Sequence, residues 1–380
     1  MPKDMYTESV PDRFTVAVVG AGPAGLAAAA ELLRSGERVV VFERGDVGEA
    51  WAGRYDRLRL HTVRWLSSLP GYRMPRSYGK WPSRDSVRDY LRRYAVRSDI
   101  TVQAGVGVEQ IGRADGRWLL RTSEGIVEAD CVVVATGHSN EPYLPQWPGA
   151  FGGEVVHSAV YRNPEPYVGK RVLVVGAGNS GAEIAVDLAG GGAAEVFLAV
   201  RTPPHIVRRD TLGFPSQVLG IATAHLPIPV VDRIASTMRR LSIPDLAPHG
   251  LPAPSRTYSD FLRRRVIPIV DVGLVEAVRR GRVRVVAALE RFEDGAAVLA
   301  DGRTLAVDAV IAATGYRPAL EPLVGSLGVL DEHGEPLVHG AEEHPEAPRL
   351  HFVGYRVTLG GTLRLVGIEA RELARALGRR

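Results

Sequence analysis

The apolar positions of this chain fall into two widely separated blocks that follow one plan. Phe14-Thr15-Val16-Ala17-Val18-Val19 is an uncharged, mostly apolar run, followed by Gly20-Ala21-Gly22-Pro23-Ala24-Gly25 and an alanine-rich stretch to about Leu33. A continuous run bounded by glycines reads as a strand buried on both faces, and the alanine-rich stretch reads as a helix. Arg38 to Phe42 then forms a second strand that ends at Glu43. The order recurs in Arg171-Val172-Leu173-Val174-Val175, Gly176-Ala177-Gly178-Asn179-Ser180-Gly181, a helix to about Leu188 and a strand from Glu195 to Val200. Gly20 and Gly176 stand 156 positions apart, so the chain carries a coarse duplication of a strand-turn-helix-strand unit.

Each half closes on a matching tripeptide. Cys131 to Val134 runs into Ala135-Thr136-Gly137, and Ala309 to Ala312 runs into Ala313-Thr314-Gly315. Between Trp51 and Ile100 the strand signal is weak, but Ser83 can cap a helix whose Val87, Tyr90, Leu91 and Tyr94 recur on one face. A last helix is expected from about Leu363, with Val366, Ala370, Leu373 and Leu377 aligned, and Asp331 to Pro348 reads as loop or short hairpin. Thr211 to Val231 lacks Asp, Glu, Lys and Arg and is long enough by count to span a bilayer. Gly213, Pro215, Gln217, Gly220, Pro227 and Pro229 argue against a spanning helix, so residues 211–236 are expected to form an exposed apolar segment.

Composition narrows the choices. The 380 residues, 45% hydrophobic and 24% charged, suit a globular chain of about two domains. A single cysteine, Cys131, excludes a disulfide framework and any Cys-x-x-Cys pair, and the ten histidines show no metal-ligand spacing, so no metal is expected. Cys131 lies among valines and reads as core; a reducing cytoplasm is the expected compartment. Thr15 to Ala30 lack the basic leader and cleavage site of a secretion signal. The net charge is +4, and only Lys3, Lys80 and Lys170 are lysines. The arginines are scattered, with short clusters at Arg208-Arg209, Arg239-Arg240 and Arg263-Arg264-Arg265, so a nucleic-acid partner is not expected and anionic small molecules remain open.

The glycine turns carry the chemistry. Between a strand and a helix, such a turn lets the backbone approach a pyrophosphate and aims the helix amides at it. Gly20, Gly22 and Gly25 fill the three glycine roles in the first unit, and Gly176, Gly178 and Gly181 fill them in the second. Glu43, at the end of the first unit's second strand, can accept from both hydroxyls of a free ribose, as FAD or NAD presents. The matching place in the second unit holds Arg201-Thr202, and an arginine there can pair with the 2′-phosphate of NADPH. The fold expected is therefore α/β, with two Rossmann-type dinucleotide-binding domains, for FAD and NADPH. The FAD domain is discontinuous, over 1–155 and 319–380, around an NADPH domain at 156–318. Dithiol-disulfide reductases, simple electron-transfer reductases and flavin monooxygenases share this plan, and the single cysteine removes the first.

Phe151-Gly152-Gly153-Glu154-Val155-Val156-His157-Ser158-Ala159-Val160-Tyr161 matches F-x-G-x-x-x-H-x-x-x-Y at all four specified positions, just before the second glycine turn. That pattern resembles the identifying motif of the class B flavin-containing monooxygenases. Ala313-Thr314-Gly315-Tyr316 and Gly48-Glu49-Ala50-Trp51 resemble two further elements of the family. Tyr55-Asp56-Arg57-Leu58-Arg59-Leu60-His61-Thr62, Gly178-Asn179-Ser180-Gly181 with Glu183, and Pro268-Ile269-Val270-Asp271-Val272-Gly273 are similar to the YUCCA-type branch. One departure is His61, where amine- and sulfide-oxidising members usually have Asn.

The resemblance implies that NADPH reduces FAD, that dioxygen adds at flavin C4a, and that one oxygen passes to a small organic substrate while the other leaves as water. An apolar or aromatic substrate is favoured, either an aromatic 2-oxo acid or a soft nucleophile such as an amine or thioether. It further implies that Gly20, Gly22, Pro23, Ala24, Gly25, Glu43, Arg44, Trp51, Val108, Thr136 and Gly354 hold FAD. Gly176, Gly178, Ser180, Gly181, Arg201, Thr202, Thr314 and Gly315 would serve the nucleotides, and His61, Thr62 and Asn179 would lie at the reacting centre. His157 is expected to be structural or to position a cofactor, in a connection between domains. The apolar segment would wall a substrate channel or form a core or dimer contact, which leaves a homodimer open. A reductase that passes electrons to a protein or quinone without oxygenation is the alternative, and a non-enzymatic flavoprotein is the third reading.

Overall fold

The computed structural model describes residues 14–211, 213–223, 225–263, 266–356, 358 and 360–378. Leu212 and Ala224 of the apolar run, and Arg264 and Arg265 of a basic cluster, lie outside these. The first strand, Phe14–Val19, runs through the middle of a sheet, parallel to Val39–Glu43 on one side and to Gly125–Val134 on the other. Val102–Ala104 extends it beyond Val39–Glu43, and the meander Val108–Ala114, Arg117–Thr122 extends it at the far edge. Gly125–Val134 is long enough to take two partners in succession. Its first half pairs antiparallel with Arg117–Thr122, and Val132–Val134 pair in parallel with Leu350–Phe352. The first sheet is thus completed by a strand that follows the whole second sheet in the chain, which makes this domain discontinuous.

The second sheet is wholly parallel, in the order Arg284–Val286, Glu195–Ala199, Arg171–Val175, Ala309–Ala312, Glu154–His157. Its central strands are buried on both faces, which is why they read as unbroken apolar runs. Glu154–His157 corrects one expectation: the segment read as an inter-domain connection is an edge strand of this sheet. It is only four residues long and partly exposed, so its hydrophobic pattern is too short to announce it.

Helix Pro23–Arg34 buries Ala24 through Ala30 and Leu32 between the first sheet and the C-terminal helix Thr362–Leu377. The alanines let the two helices approach closely enough for Val366, Ala370 and Leu373 to join the same core. The helix expected after Ser83 runs Arg84–Arg97, with the Ser83 hydroxyl accepting from the amide of Ser86 at 3.2 Å. In the 331–348 stretch only isolated bridges form, Leu330 with Pro336 and His344 with Ala347.

Candidate active site

Both glycine turns have the geometry a dinucleotide needs. Gly20 has a positive φ of 106°, and a Cβ there would come within 2.7 Å of the Ala135 carbonyl oxygen. Gly25 lies so close to the start of the turn that a Cβ would stand 1.8 Å from the Gly20 oxygen. Gly22 differs: it caps the helix without a side-chain partner, Pro23 follows as the first helical residue, and an added Cβ would meet open space. The second turn repeats this, with Gly176 against the Ala313 carbonyl, Gly181 against Gly176 at 1.9 Å and Gly178 open. Two uncapped helix starts facing open space suit two pyrophosphates, so the residues present fit FAD and NADPH.

Glu43 closes the first cradle. Its Oε2 accepts from the amide of Ala21 at 2.7 Å and its Oε1 from that of Gly45 at 3.0 Å, leaving one lone pair on each oxygen toward a ribose. Arg44 is exposed and donates to the Asn140 side-chain oxygen at 2.7 Å. Trp51 is half-buried against the first core, and Val108 opens the meander. Thr136 is held by Tyr355, whose buried hydroxyl accepts from its amide at 3.1 Å and pairs with its hydroxyl at 2.8 Å. Burial pushes the Tyr355 phenol well up, so it stays neutral. Gly354, at φ 90°, lies where a Cβ would come within 2.8 Å of the Ala24 side chain, and its amide donates to the buried Glu369 carboxylate at 2.9 Å. That amide is therefore committed within the protein, and Gly354 contributes close approach. Tyr355 and Glu369 were not foreseen; a lone Tyr and a lone Glu carry no spacing that would mark them.

At the second cradle Arg201 and Thr202 are exposed, one and two residues past Val200, beyond the strand end. Thr314 donates to the Tyr143 carbonyl at 2.5 Å, and Gly315 has a φ of 91°. The four specified positions of the 151–161 motif are structural joints. Phe151 stacks on Phe292 with ring centres 4.9 Å apart, Gly153 lies where a Cβ would reach the Asp308 carbonyl at 2.4 Å, and Tyr161 donates to Asp187 at 2.8 Å. His157 accepts at Nδ1 from the amide of Ala159 at 3.0 Å and donates from Nε2 to Gly315. Both ring nitrogens are used within the protein, so the ring is held in place by backbone partners.

The two cradles meet where Tyr55 to His61 docks on the helix Asn179–Gly190. Tyr55 hydrogen-bonds Ser180, His61 Nε2 contacts Glu183 Oε1 at 2.5 Å, and Arg57 lies 3.4 Å from Asp187. Positions 180, 183 and 187 share one helix face, so three partners from a seven-residue segment line up along it. Burial, and after it the Glu183 charge, pushes the Tyr55 phenol up.

The three residues expected at the reacting centre differ in what they still offer. Asn179 donates to the Pro268 carbonyl at 3.1 Å and accepts from the amide of Val270 at 2.7 Å. Ser67 gives its hydroxyl proton to the Val63 carbonyl, so Thr62 must donate to Ser67, at 2.7 Å. Among the described residues, His61 has only its contact with Glu183, through Nε2.

The apolar segment contributes a residue that its composition did not single out. Gln217, on the helix Ser216–Thr223, is buried; its Oε1 accepts from the amide of Val63 at 2.9 Å and its Nε2 donates to the Gly360 carbonyl at 2.7 Å. The following helix, Ile228–Ser242, has no buried residue, and Leu226, Ile228, Val230, Met238 and Leu241 are exposed. Among the described residues no cluster of His, Cys, Asp and Glu could hold a metal, and no helix is long and apolar enough to cross a membrane.

Residues 17–211 match the family described as pyridine nucleotide-disulphide oxidoreductase. Cys131, the chain's single cysteine, is buried with its thiol pushed up to about 12, so the match reflects the dinucleotide architecture and not disulfide chemistry. The chain is 36% identical over 315 residues to the probable indole-3-pyruvate monooxygenase YUCCA9 of Arabidopsis thaliana, covering 79% of this chain and 74% of the relative. It is 36% identical to the indole-3-pyruvate monooxygenase YUCCA1 of Oryza sativa subsp. japonica, covering 79% and 76%. Among solved structures it resembles the flavin-containing monooxygenase from Stenotrophomonas maltophilia, with a TM-score of 0.71, 28% identity and coverage of 96% and 98%. A variant of that enzyme, in which adjacent Gln and His are replaced by Arg and Thr, gives a TM-score of 0.74 with coverage of 97% and 99%.

Proposed function

This chain belongs to the class B flavin-containing monooxygenases, in the YUCCA-type branch, and from that premise we propose that its substrate is an aromatic 2-oxo acid. It is an NADPH-dependent FAD monooxygenase that acts on a small organic molecule and dioxygen. Bound FAD, reduced by NADPH, supplies the activation of dioxygen, and the chain's own residues bind, orient and exclude water.

The observation that carries the reading is the docking of Tyr55 to His61 on the second phosphate-binding helix, which joins two matched cradles at one junction. In the first cradle Gly20, Gly22, Pro23, Ala24 and Gly25 admit the FAD pyrophosphate, Glu43 takes the ribose, and Arg44, Trp51, Val108, Thr136 and Gly354 border the site. In the second, Gly176, Gly178, Ser180 and Gly181 admit the NADPH pyrophosphate, with Thr314 and Gly315 beside the turn. Arg201 and Thr202 take the 2′-phosphate, and the same dipeptide was introduced into the Stenotrophomonas variant. His61 is the residue that exchanges hydrogen bonds with reacting groups, while Thr62 and Asn179 set the backbone around it.

Arg209 supports the acid substrate. Its guanidinium stacks over Trp81 at 4.7 Å, burial lowers its pKa, and no carboxylate or carbonyl oxygen among the described residues pairs with it. A half-buried guanidinium that feels the Glu183 and Asp210 charges without a direct hydrogen bond to either keeps its donors free for a substrate carboxylate. The helix Ser216–Thr223, fastened by Gln217, walls the channel, and the exposed apolar face of Ile228–Ser242 is the candidate contact for a homodimer. The cytoplasm remains the proposed compartment.

The test supplies NADPH, isotope-labelled dioxygen and, separately, indole-3-pyruvate, a tertiary amine and a thioether. One labelled oxygen in the product of the 2-oxo acid, with NADPH consumed in step, is the expected outcome. Labelled amine or thioether oxide with no turnover of the 2-oxo acid would overturn the substrate class.

A further inference from the structure

Glu183 is almost wholly buried, one turn into the second phosphate-binding helix, and its hydrogen-bonding partner is the imidazole of His61. A buried carboxylate needs a donor, and His61 supplies one across the junction between the two halves of the molecule. Because a carboxylate only accepts, His61 must carry a proton on Nε2 to make this contact, whatever the charge on the ring. Nδ1 has no hydrogen-bond partner among the described residues. The surroundings hold the pair in place. Tyr55 lies alongside, its phenol bonded to Ser180, and the positive charges of Arg57 and Arg209 act on the same locus, Arg57 being anchored on Asp187.

We propose that Glu183 is a positioning residue for oxygenation: it fixes the proton of His61 on Nε2 and turns the ring so that Nδ1 is the nitrogen left to serve the reacting groups. The inference rests on the assignment of His61 to the reacting centre. It differs from a general cation-anion contact in requiring only an acceptor at position 183, because the tautomer and not the charge is what is set. It also ties the orientation of His61 to the NADPH-binding helix, so the ring is fixed by the domain that delivers the reductant.

The experiment uses the FAD-loaded enzyme with nitrogen-labelled histidine. The ring-nitrogen resonances of His61, assigned by their loss in His61→Gln, report which nitrogen is protonated. Coupling is read as product formed per NADPH consumed. Wild-type enzyme is expected to show Nε2–H. Glu183→Gln keeps an acceptor of the same shape, and should keep the Nε2–H signature with coupling within about threefold of wild type. Glu183→Met removes the acceptor, and should lose the signature and about tenfold or more of the coupling. A wild-type His61 protonated on Nδ1 alone overturns the proposal without any variant, so it stays testable should Glu183→Met not retain FAD. A Glu183→Met enzyme that keeps both signature and coupling also overturns it, as does a Glu183→Gln enzyme as damaged as Glu183→Met. Full coupling in His61→Gln would instead remove His61 from the reacting centre, which separates failure of that assignment from failure of the role given to Glu183.

Discussion

His157 donates from Nε2 to the carbonyl oxygen of Gly315 at 2.9 Å, so a residue of the edge strand holds the glycine that ends the second sheet's closing tripeptide. Its ring meets Tyr316 edge-on at 5.0 Å, and Arg54 from the first half of the chain stacks over the same Tyr316 ring, 4.5 Å from its centre.

Burial lowers the pKa of His157 below its ordinary 6.5, as it does for His205 and His351. The unfolded chain therefore binds more protons than the folded one from about pH 6.5 downward to the depressed folded values. Stability should be fully present above that window and fall as the pH drops through it. Urea unfolding between pH 7 and pH 5 measures this, and His157→Gln should flatten part of the slope. A slope unchanged in the variant would show that His157 titrates alike in both states.

Gly22 and Gly25 should respond differently to alanine. A Cβ at Gly25 runs into the Gly20 carbonyl, so Gly25→Ala forces the turn apart and should cost about 1–3 kcal/mol of stability, read by thermal unfolding. At Gly22 the Cβ meets only open space, so Gly22→Ala should fold with stability within about 1 kcal/mol of wild type yet bind FAD more weakly. Equal FAD affinity in Gly22→Ala and wild type would argue that the pyrophosphate lies elsewhere.

Arg201→Ala should raise KM for NADPH by about tenfold to a hundredfold, the loss of a charge-assisted hydrogen bond of about 1.5–3 kcal/mol, and leave KM for NADH nearly unchanged. Steady-state flavin reduction with both nucleotides checks it. An equal rise for both would show that Arg201 does not read the 2′-phosphate.

Gln217→Leu strands the amide of Val63 and the carbonyl of Gly360, two buried groups that each cost about 1–3 kcal/mol when unpaired. The helix Ser216–Thr223 should loosen, with substrate KM rising while anaerobic flavin reduction by NADPH keeps its rate. A slowed reduction with unchanged substrate KM would assign the helix to the nucleotide instead.

Tyr355→Phe keeps the ring in its core and removes the hydroxyl that holds Thr136. Faster release of FAD on dilution, by about three- to tenfold, is expected from the loss of roughly 1 kcal/mol. Retention equal to wild type would show that the Thr136 loop is fixed without it.

What the sequence made legible was local. Strands buried on both faces announce themselves as apolar runs, and turns that need glycine can use little else, so both cradles could be read residue by residue. Two antiparallel pairs, Val108–Ala114 with Arg117–Thr122 and Leu289–Glu293 with Ala296–Leu299, carried their own signal in Asp115-Gly116 and Asp294-Gly295, each with positive φ at both turn positions, but their strands alternate too weakly to stand out from loop. The contacts that tune the site were hidden for a different reason. Glu183 and His61 are 122 positions apart, and Gln217 and Gly360 are 143 apart, so no window of sequence contains both members of either pair. Asn179 and Thr62 looked free to serve a ligand because nothing local shows that Pro268, Val270 and Ser67 already engage them.

The strand Leu350–Phe352 gives the chain an order of assembly. Thr136 and Tyr355 must find each other across 219 positions, and the whole second sheet is synthesised between them. A flexible loop of that length would make closure slow, but a folded insert whose ends pair, Glu141 with Arg317 and Pro142 with Tyr316, leaves only the stretches outside it to be closed. The reductant-binding half therefore acts as the scaffold on which the first sheet closes. Removal of the last thirty or so residues should leave a folded NADPH half beside an unclosed FAD half, a newly made chain that can bind NADPH before it can hold a flavin.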